Sequence, residues 1–192
     1  MSTIYPDVNK NWINDIKLCW AAASSNVLVY AGWNRLFNNR TEYEIYDLFR
    51  NKYDPGQEDV GNSPICAIDW LLNHYFLLNI PIESVIQSRS PHDLFLAKQT
   101  PPLATGGCGI IQINWDSTPL ESHVVTMYGL TVRNTLDPRA VRQIVIVDSD
   151  DHYSGLKYID VNYDAAKRTY PIQLYGNDGQ ITCWSSISVC PF

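Results

Sequence analysis

The feature that most constrains the fold is an apolar segment with many small side chains, which begins at Cys19 and continues WAAASSNVLVYA. Its apolar side chains at Trp20, Ala23, Val27 and Tyr30 recur at three- and four-residue spacing. That spacing places them along one face of an α-helix. The sequence therefore predicts a buried helix that starts at Cys19.

The position of Cys19 at a helix start suggests chemistry. A cysteine in the first turn faces the positive end of the helix dipole and several unpaired backbone N–H groups. Both favour the thiolate, which is the form in which cysteine acts as a nucleophile. A free cysteine is also a common small core residue. The helix start leaves both interpretations open, and the candidate partners of Cys19 decide between them.

Composition and charge limit the classes of partner. The chain has 192 residues, of which 45% are hydrophobic and 18% charged, and its net charge is −6. This length predicts a single domain over residues 1–192, with room for two lobes. Because no basic patch is present, nucleic acid is not expected as a partner. No apolar run reaches the roughly eighteen residues of a membrane span, so a membrane is not expected either.

The cysteine count is odd. The chain contains Cys19, Cys66, Cys108, Cys183 and Cys190, with no CxxC pair and few histidines, so neither a zinc site nor another metal cofactor is expected. One free thiol and two disulfides would account for five. A Cys183–Cys190 bridge would close a small C-terminal loop, and Cys66–Cys108 would then pair by elimination. Such bridges imply an oxidising compartment; the alternative is four inert reduced thiols.

The first half of the chain is predicted to be helical. After the Cys19 helix, residues 41–49 begin with Thr41 as N-cap and carry an early glutamate. Ser63 and Pro64 then open a helix over residues 65–76, since proline is favoured in the first turn. A fourth, shorter helix follows Ser90-Pro91, before a loop rich in proline and glycine.

The second half is predicted to form strands. Short β-branched or aromatic runs cover residues 109–115, 123–132, 144–147, 156–161, 170–175 and 181–189, with turn signals between them. Among these, Asp178-Gly179 predicts a hairpin turn. Helices followed by antiparallel strands indicate an α+β fold. We expect a helical lobe over about residues 1–105, a β lobe over about 106–192, and a cleft between them with the Cys19 helix on one wall.

A thiolate nucleophile needs a base within reach, and the chain offers four histidines. His74 falls among apolar residues of a predicted helix and is expected to be structural. His92 follows a proline in a loop, and His152 follows three aspartates; both are expected at the surface. His123 begins an apolar strand directly after a polar loop, so it can project into a cleft from a pinned backbone. A capping or core histidine is the alternative for His123.

A candidate acid lies at the end of a buried strand. The apolar run IVIV at residues 144–147 leads directly into Asp148, with Asp150 two residues later. A carboxylate there can accept a hydrogen bond from the imidazole of His123, which fixes its tautomer and stabilises the imidazolium. A solvated acidic turn is the alternative. A calcium loop of the EF-hand type is not supported, because Tyr153 and Ile159 stand where that loop needs glycine and glutamate.

With Cys19, His123 and Asp148 in that order, the sequence resembles papain-like cysteine peptidases. It is more specifically similar to the immunoglobulin-degrading IdeS/Mac type of bacterial cysteine endopeptidase. The similar segments are DVNKNW at 7–12, LCWAAASSN at 18–26, AIDW at 67–70, SHVV at 122–125 and VDSD at 147–150. They are spread over most of the chain, although this chain is shorter and has more cysteines than we expect for that family.

The resemblance implies a papain-like two-lobe fold and a role for each site residue. Cys19, His123 and Asp148 are the implied catalytic triad, and Asp150 is the implied supporting aspartate. The family's oxyanion hole uses an upstream lysine, which falls on Lys10, with Lys17 as the competing choice. The backbone N–H of Cys19 is the second oxyanion donor. No cofactor is implied.

The resulting hypothesis is a cysteine endopeptidase that hydrolyses peptide bonds of a protein substrate through a thioester. The family resemblance further implies a secreted bacterial virulence factor or effector, whereas the opening Met1-Ser2-Thr3 fits either a start after a removed leader or a cytosolic start. Deubiquitination and acyl transfer use the same thioester and remain alternatives. A non-catalytic binding module on the same fold is a third hypothesis, since a surface rich in Tyr and Trp suits recognition.

Overall fold

The computed structural model of the protein describes residues 5–9, 18–53, 63–98, 108–117, 122–132, 141–150 and 155–191. Within them, the α-helices are α1 (Cys19–Tyr30), α2 (Glu42–Lys52) and α3 (Pro64–Asp69), and α3 continues into a π-helical turn, Trp70–Tyr75. Single 3₁₀ turns or short 3₁₀ helices cover Trp33–Phe37, Ile82–Ser84 and Pro91–Lys98. The strands are β1 (Ile86–Arg89), β2 (Cys108–Trp115), β3 (Ser122–Val132), β4 (Val141–Val147), β5 (Lys157–Asp160), β6 (Tyr170–Leu174) and β7 (Asn177–Ile187).

Local signals account for the helix starts. The Thr41 hydroxyl accepts from the backbone N–H of Glu44, while the Glu44 carboxylate accepts from the backbone N–H of Thr41, so α2 begins with a complete capping box. Ser63 caps α3 through its hydroxyl, and Pro64 follows in the first turn. All of the predicted helix starts at Cys19, Thr41 and Ser63 are confirmed.

The strands form one antiparallel sheet in the order β1-β7-β2-β3-β4-β5, with β6 also paired to β7. The mixture of helices and antiparallel strands confirms the predicted α+β class. β1 was not predicted: it lies inside the stretch expected to be helical and pairs with the end of β7. Its four residues alternate weakly, with one buried side chain among exposed ones, so the sequence carries little strand signal there.

Successive side chains of a strand point to opposite faces of a sheet, and here each face has its own hydrophobic core. The helix-side core joins α1, α2 and α3 to the alternate residues Ile110, Val124 and Tyr128. The sheet-side core contains the intervening residues Ile111 and Val125 together with side chains of β4, β6 and β7. Helix α1 therefore lies against the middle strands of the sheet. Among the described residues, no helix is long and apolar enough to cross a membrane.

The predicted disulfides are wrong. All five cysteines are free thiols, so neither Cys183–Cys190 nor Cys66–Cys108 is bridged. Cys108 is buried under α1, where its thiol lies 3.6 Å from the carbonyl oxygen of Val27, and complete burial raises the pKa of that thiol. Cys66 lies on the exposed side of α3. The prediction rested on the odd number of cysteines and on a separation that could close a small loop. Neither feature determines how far apart the fold places two thiols.

The predicted hairpin turn is also misplaced. The β6–β7 turn is Tyr175-Gly176, whose φ angles of 53° and 79° are the left-handed values of a tight hairpin turn. Asp178 and Gly179 instead lie within β7. A Cβ on Gly179 would come within 2.8 Å of the Asn114 carbonyl oxygen, so this glycine permits close approach of strands rather than a turn.

Candidate active site

Cys19 is the first residue of α1 and is only 8% exposed. Leu18 precedes the helix without a side-chain cap, and the first turn contains no acidic residue. The backbone carbonyl of Leu18 accepts from the N–H groups of Ala21 and Ala22, at 3.0 and 3.1 Å. The thiol thus lies at the positive end of a buried helix dipole, with no nearby carboxylate in the first turn to offset it.

His123 is the second residue of β3 and is buried. Its Nε2 lies 2.8 Å from Oδ1 of Asp148, and the Cys19 side chain lies near enough to the imidazole to raise its pKa. An ionised carboxylate only accepts, so Nε2 carries the proton in the Asp148 bond. The other ring nitrogen, Nδ1, remains for exchange of a proton with the sulfur. The structure therefore brings together the three residues that the sequence predicted as a triad.

Asp148 follows the last residue of β4 and is fully buried. Its Oδ1 accepts from His123 and, at 3.0 Å, from the backbone N–H of Asp150, and its Oδ2 accepts from the hydroxyl of Tyr175 at 3.0 Å. Three donors satisfy a carboxylate that has no access to water. This confirms the expected hydrogen bond to His123 and excludes the alternative of a solvated acidic turn.

Strand register explains why these residues meet. β3 and β4 are antiparallel with Thr126 opposite Val147, so the end of β4 lies beside the beginning of β3. Helix α1 packs across β3, which brings its first residue to the same end of the sheet. Residues separated by about a hundred positions, such as Cys19 and His123, are thereby placed in contact.

The hydrogen bonds set the charge state of the pair. Burial acts to lower the pKa of His123, but hydrogen bonds and charges from Asp148 and Cys19 outweigh it and raise that pKa to about 10. Burial acts to raise the pKa of Asp148, but the bonds from His123, from the Asp150 backbone and from Tyr175 outweigh it and hold that pKa below its usual value. The site therefore favours an imidazolium beside a carboxylate at neutral pH.

Asp150 lies on the other side of the imidazole. Its Oδ2 is 3.7 Å from Nδ1 of His123, beyond hydrogen-bond distance but close enough to favour the protonated ring. Polar atoms of His123, Asp148 and Asp150 lie within 4.8 Å of one another, a spacing compatible with metal binding. The shortest contact among them is an ordinary N–H···O hydrogen bond, so we interpret the cluster as a site for handling protons and not as a metal centre.

No protein-family model matches this chain, and no characterised protein is similar enough to it to indicate common ancestry. The assignment of a function consequently depends on the geometry of the site and on the sequence resemblance described above.

The other predicted candidates have different outcomes. Lys10, its competitor Lys17, and His152 lie outside the described residues. His74 is mostly exposed and lies 3.8 Å from Asp69, so it does not have the structural role expected inside a helix. His92 is partly exposed, as expected of a surface residue, and its Nδ1 lies 2.6 Å from the hydroxyl of Tyr163.

The sequence analysis missed two aromatic contacts of the site. The Trp115 indole stacks on the His123 ring, with centroids 5.9 Å apart and planes 19° from parallel. Trp115 ends β2, and the pairing of Ile113 with His123 brings the two rings together. Tyr175 was missed because the turn was placed three residues too late; the Gly176 that follows it was the available signal.

An open hollow lies on the helix side of the sheet, between the start of α3 and strands β1, β2, β3 and β7. Its volume is about 310 Å³, including open solvent, and none of the residues that line it is Cys19, His123 or Asp148. Val124, which follows His123 in β3, and Pro64 of α3 are among the lining residues. Polar side chains, including Ser88 and Gln112, complete a lining of mixed character.

Proposed function

We propose that this protein is a papain-like cysteine endopeptidase, similar in its site to the IdeS/Mac type, with a two-lobe fold. The observation that carries the proposal is a buried imidazole that is hydrogen-bonded to the Asp148 carboxylate and lies close to the Cys19 thiol at a helix N-terminus. Nucleophile, base and orienting group in hydrogen-bonded sequence are what covalent catalysis by a thiol requires.

In the proposed mechanism, the Cys19 proton already resides on Nδ1 of His123 in the resting enzyme, and the thiolate attacks the carbonyl carbon of the scissile peptide. The tetrahedral intermediate collapses when the imidazolium donates its proton to the leaving amine, which gives a thioester and a free amine. His123 then removes a proton from water, the hydroxide adds to the thioester, and the carboxylic acid is released with the thiol restored. Throughout, Asp148 keeps the ring oriented and stabilises its positive charge.

The oxyanion that forms at each tetrahedral step needs donors. The resemblance assigns them to the Lys10 side chain and the Cys19 backbone N–H. Removing one such donor typically slows an acyl transfer by about 10²–10³. Lys10→Met is therefore expected to lower kcat by about that factor, whereas Lys17→Met is expected to have little effect if Lys10 is the donor.

The substrate we propose is a protein. The hollow that Val124 helps to line has polar as well as apolar walls, as sites that bind peptide side chains have. The family resemblance further suggests a secreted bacterial virulence factor or effector.

The test is cleavage of a panel of folded proteins, ubiquitin chains and amine acceptors by the wild type and by Cys19→Ala, with products identified by mass spectrometry. We expect new peptide termini with the wild type and none with Cys19→Ala, whose circular dichroism should match the wild type. A chelator should leave the rate unchanged. Hydrolysis retained by Cys19→Ala would reject the proposal.

Other outcomes identify the alternatives. Release of ubiquitin without cleavage of other proteins would indicate a deubiquitinase, and incorporation of an amine would indicate an acyltransferase. If no protein is turned over and Cys19 fails to react with iodoacetamide near pH 6, a binding module becomes the better hypothesis.

A further inference from the structure

The tip of the β6–β7 hairpin reaches the active site. Tyr175 is the first residue of this turn and has a φ angle of 53°. It is 54% exposed to solvent. The left-handed conformation is unfavourable for a bulky side chain and is more often occupied by Gly or Asn. The tyrosine side chain makes specific contacts at this position: its hydroxyl is hydrogen-bonded to Asp148 and Lys157, and its ring lies beneath the Lys157 ammonium.

That hydroxyl donates to Oδ2 of Asp148 over 3.0 Å, and its oxygen in turn accepts from Nζ of Lys157 on β5. The Lys157 ammonium also lies over the Tyr175 ring, 4.2 Å from its centroid. Because an ammonium group only donates, the single phenolic proton must point to the carboxylate. The result is a directed chain of hydrogen bonds from Lys157 through Tyr175 to the Asp148 carboxylate, which also accepts from His123.

We propose that Tyr175 is a positioning residue for the reaction, and that Lys157 fixes the direction of its hydroxyl. Oδ1 of Asp148 faces His123, so a donor on Oδ2 prevents the carboxylate from rotating away and favours its ionised form. The oriented negative charge stabilises the imidazolium and, through it, the Cys19 thiolate. This inference rests on the proposed function only in naming the reaction that the triad performs.

Several groups from α1, from the turn after β4, from β5 and from the β6–β7 turn surround the titrating pair. The Cys19 thiol of α1, the Asp148 carboxylate after β4 and the Asp150 carboxylate face His123. The Asp148 carboxylate is faced by His123 and by the Tyr175 hydroxyl, behind which lies the Lys157 ammonium of β5. Removing the hydroxyl changes this set by one donor and leaves every charge in place.

The test measures the reactivity of Cys19, which needs no substrate. Alkylation of Cys19 by iodoacetamide is followed from pH 4 to 9 by peptide mass spectrometry, with exposed Cys66 as an internal reference thiol. We expect Tyr175→Phe to displace the acid limb of the Cys19 profile to higher pH by about half a unit or more, and to slow labelling near pH 5 several-fold. Peptide cleavage should fall roughly tenfold in kcat, with KM little changed.

Tyr158→Phe is the matched control, because Tyr158 is an exposed tyrosine of β5 next to Lys157; its profile should superimpose on the wild type. Tyr175→Asn distinguishes an effect on the orientation of Asp148 from an effect on stability. Because asparagine suits the left-handed turn, the melting temperature of this variant should equal or exceed that of the wild type, while the acid limb of the Cys19 profile still moves. A merely structural tyrosine would give the reverse pattern.

An acid limb in Tyr175→Phe that coincides with the wild type overturns the proposal. If Tyr175→Phe does not fold, Lys157→Met decides, because it keeps the phenol and the turn. We expect a smaller displacement of the same sign in this variant, and no displacement overturns the proposal. Failure of the proposed function is distinguishable: there the limb moves as expected, but the wild type cleaves no protein.

Discussion

The two sides of the site are held in place by different forces. On the helix side, Cys19 begins a helix in which residues 19–28 are all buried, so close packing fixes its position. On the sheet side, the Asp148 carboxylate is fixed by donors from His123, Asp150 and Tyr175. Packing is non-directional and tolerant of small changes in chemistry, whereas hydrogen bonds to a buried charge are directional and costly to break.

This difference predicts where mutations act. Changes on the sheet side should impair the reaction much more than they impair folding. Changes on the helix side, or in the elements packed against it, should lower stability first and impair the reaction only through the loss of folded protein.

The largest expected effect is that of Asp148→Ala. The variant removes both the acceptor that holds Nε2 of His123 and the charge that stabilises the imidazolium, so kcat should fall by roughly 10³–10⁴. Steady-state cleavage of a protein substrate, or labelling of Cys19 near pH 6, measures this fall. Asp160→Ala, on the exposed end of β5, is the control and should retain wild-type rates. A fall of less than tenfold in Asp148→Ala would contradict the assigned role.

The second effect is a pH dependence of stability that belongs to the sheet side. The pKa of His123 is raised from 6.5 to about 10 in the folded state. The raised pKa means that the folded state binds the proton more tightly than the unfolded state. The resulting stabilisation of the folded state is fully present below about pH 6.5 and is lost as the pH rises through about 10. Urea unfolding at pH 6, 8 and 10.5 measures the unfolding free energy of the wild type and of His123→Gln. The excess stability of the wild type should decrease as the pH rises. A constant difference would contradict the raised pKa.

The third effect belongs to the helix side. Asn26 of α1 accepts from the backbone N–H of Val8 at 3.1 Å and donates to the Thr126 hydroxyl at 3.2 Å, all in buried surroundings. Asn26→Ala leaves two buried groups without partners and should cost about 1–3 kcal/mol of unfolding free energy. Thr126→Val removes only one of the two bonds and is expected to cost less. If Asn26→Ala instead abolishes activity at unchanged stability, changes on the helix side do not act through the loss of folded protein.

The smallest effect is that of Thr41→Ala, at the start of α2. Loss of the capping box should lower the unfolding free energy by about 1 kcal/mol and leave the rate of the folded enzyme unchanged. Thr41→Ser retains the hydroxyl and is the matched control. Denaturant unfolding and a cleavage assay on the same samples check both parts of the prediction.

The sequence was most informative where the signals are local. The helix starts at Cys19, Thr41 and Ser63 depend on residues within one helical turn. Runs of apolar residues predict the strands β2, β3 and β4. The triad was also accessible, since each member stands at the end of a recognisable element. Their actual contacts depend on register between β3 and β4, which no local pattern contains.

The rest could not be predicted for physical reasons that differ from case to case. Whether two cysteines pair depends on their distance in the fold, so the spacing of Cys183 and Cys190 was not informative. Asp178-Gly179 has the composition of a turn, but Gly179 is required by the approach of β2. The role of Tyr175 followed from the correct turn and from Asp148, which is 27 residues away.

The complete burial of the first ten residues of α1 has a consequence for turnover. Any translation of this helix would break its contacts with α2, α3 and β3 together and would expose apolar surface that is now buried. In the proposed reaction, the backbone of Cys19 is accordingly expected to stay in place through both half-reactions. Movement is then expected of the imidazole, the hairpin tip and the incoming substrate chain, which adapt to a nucleophile anchored in the core.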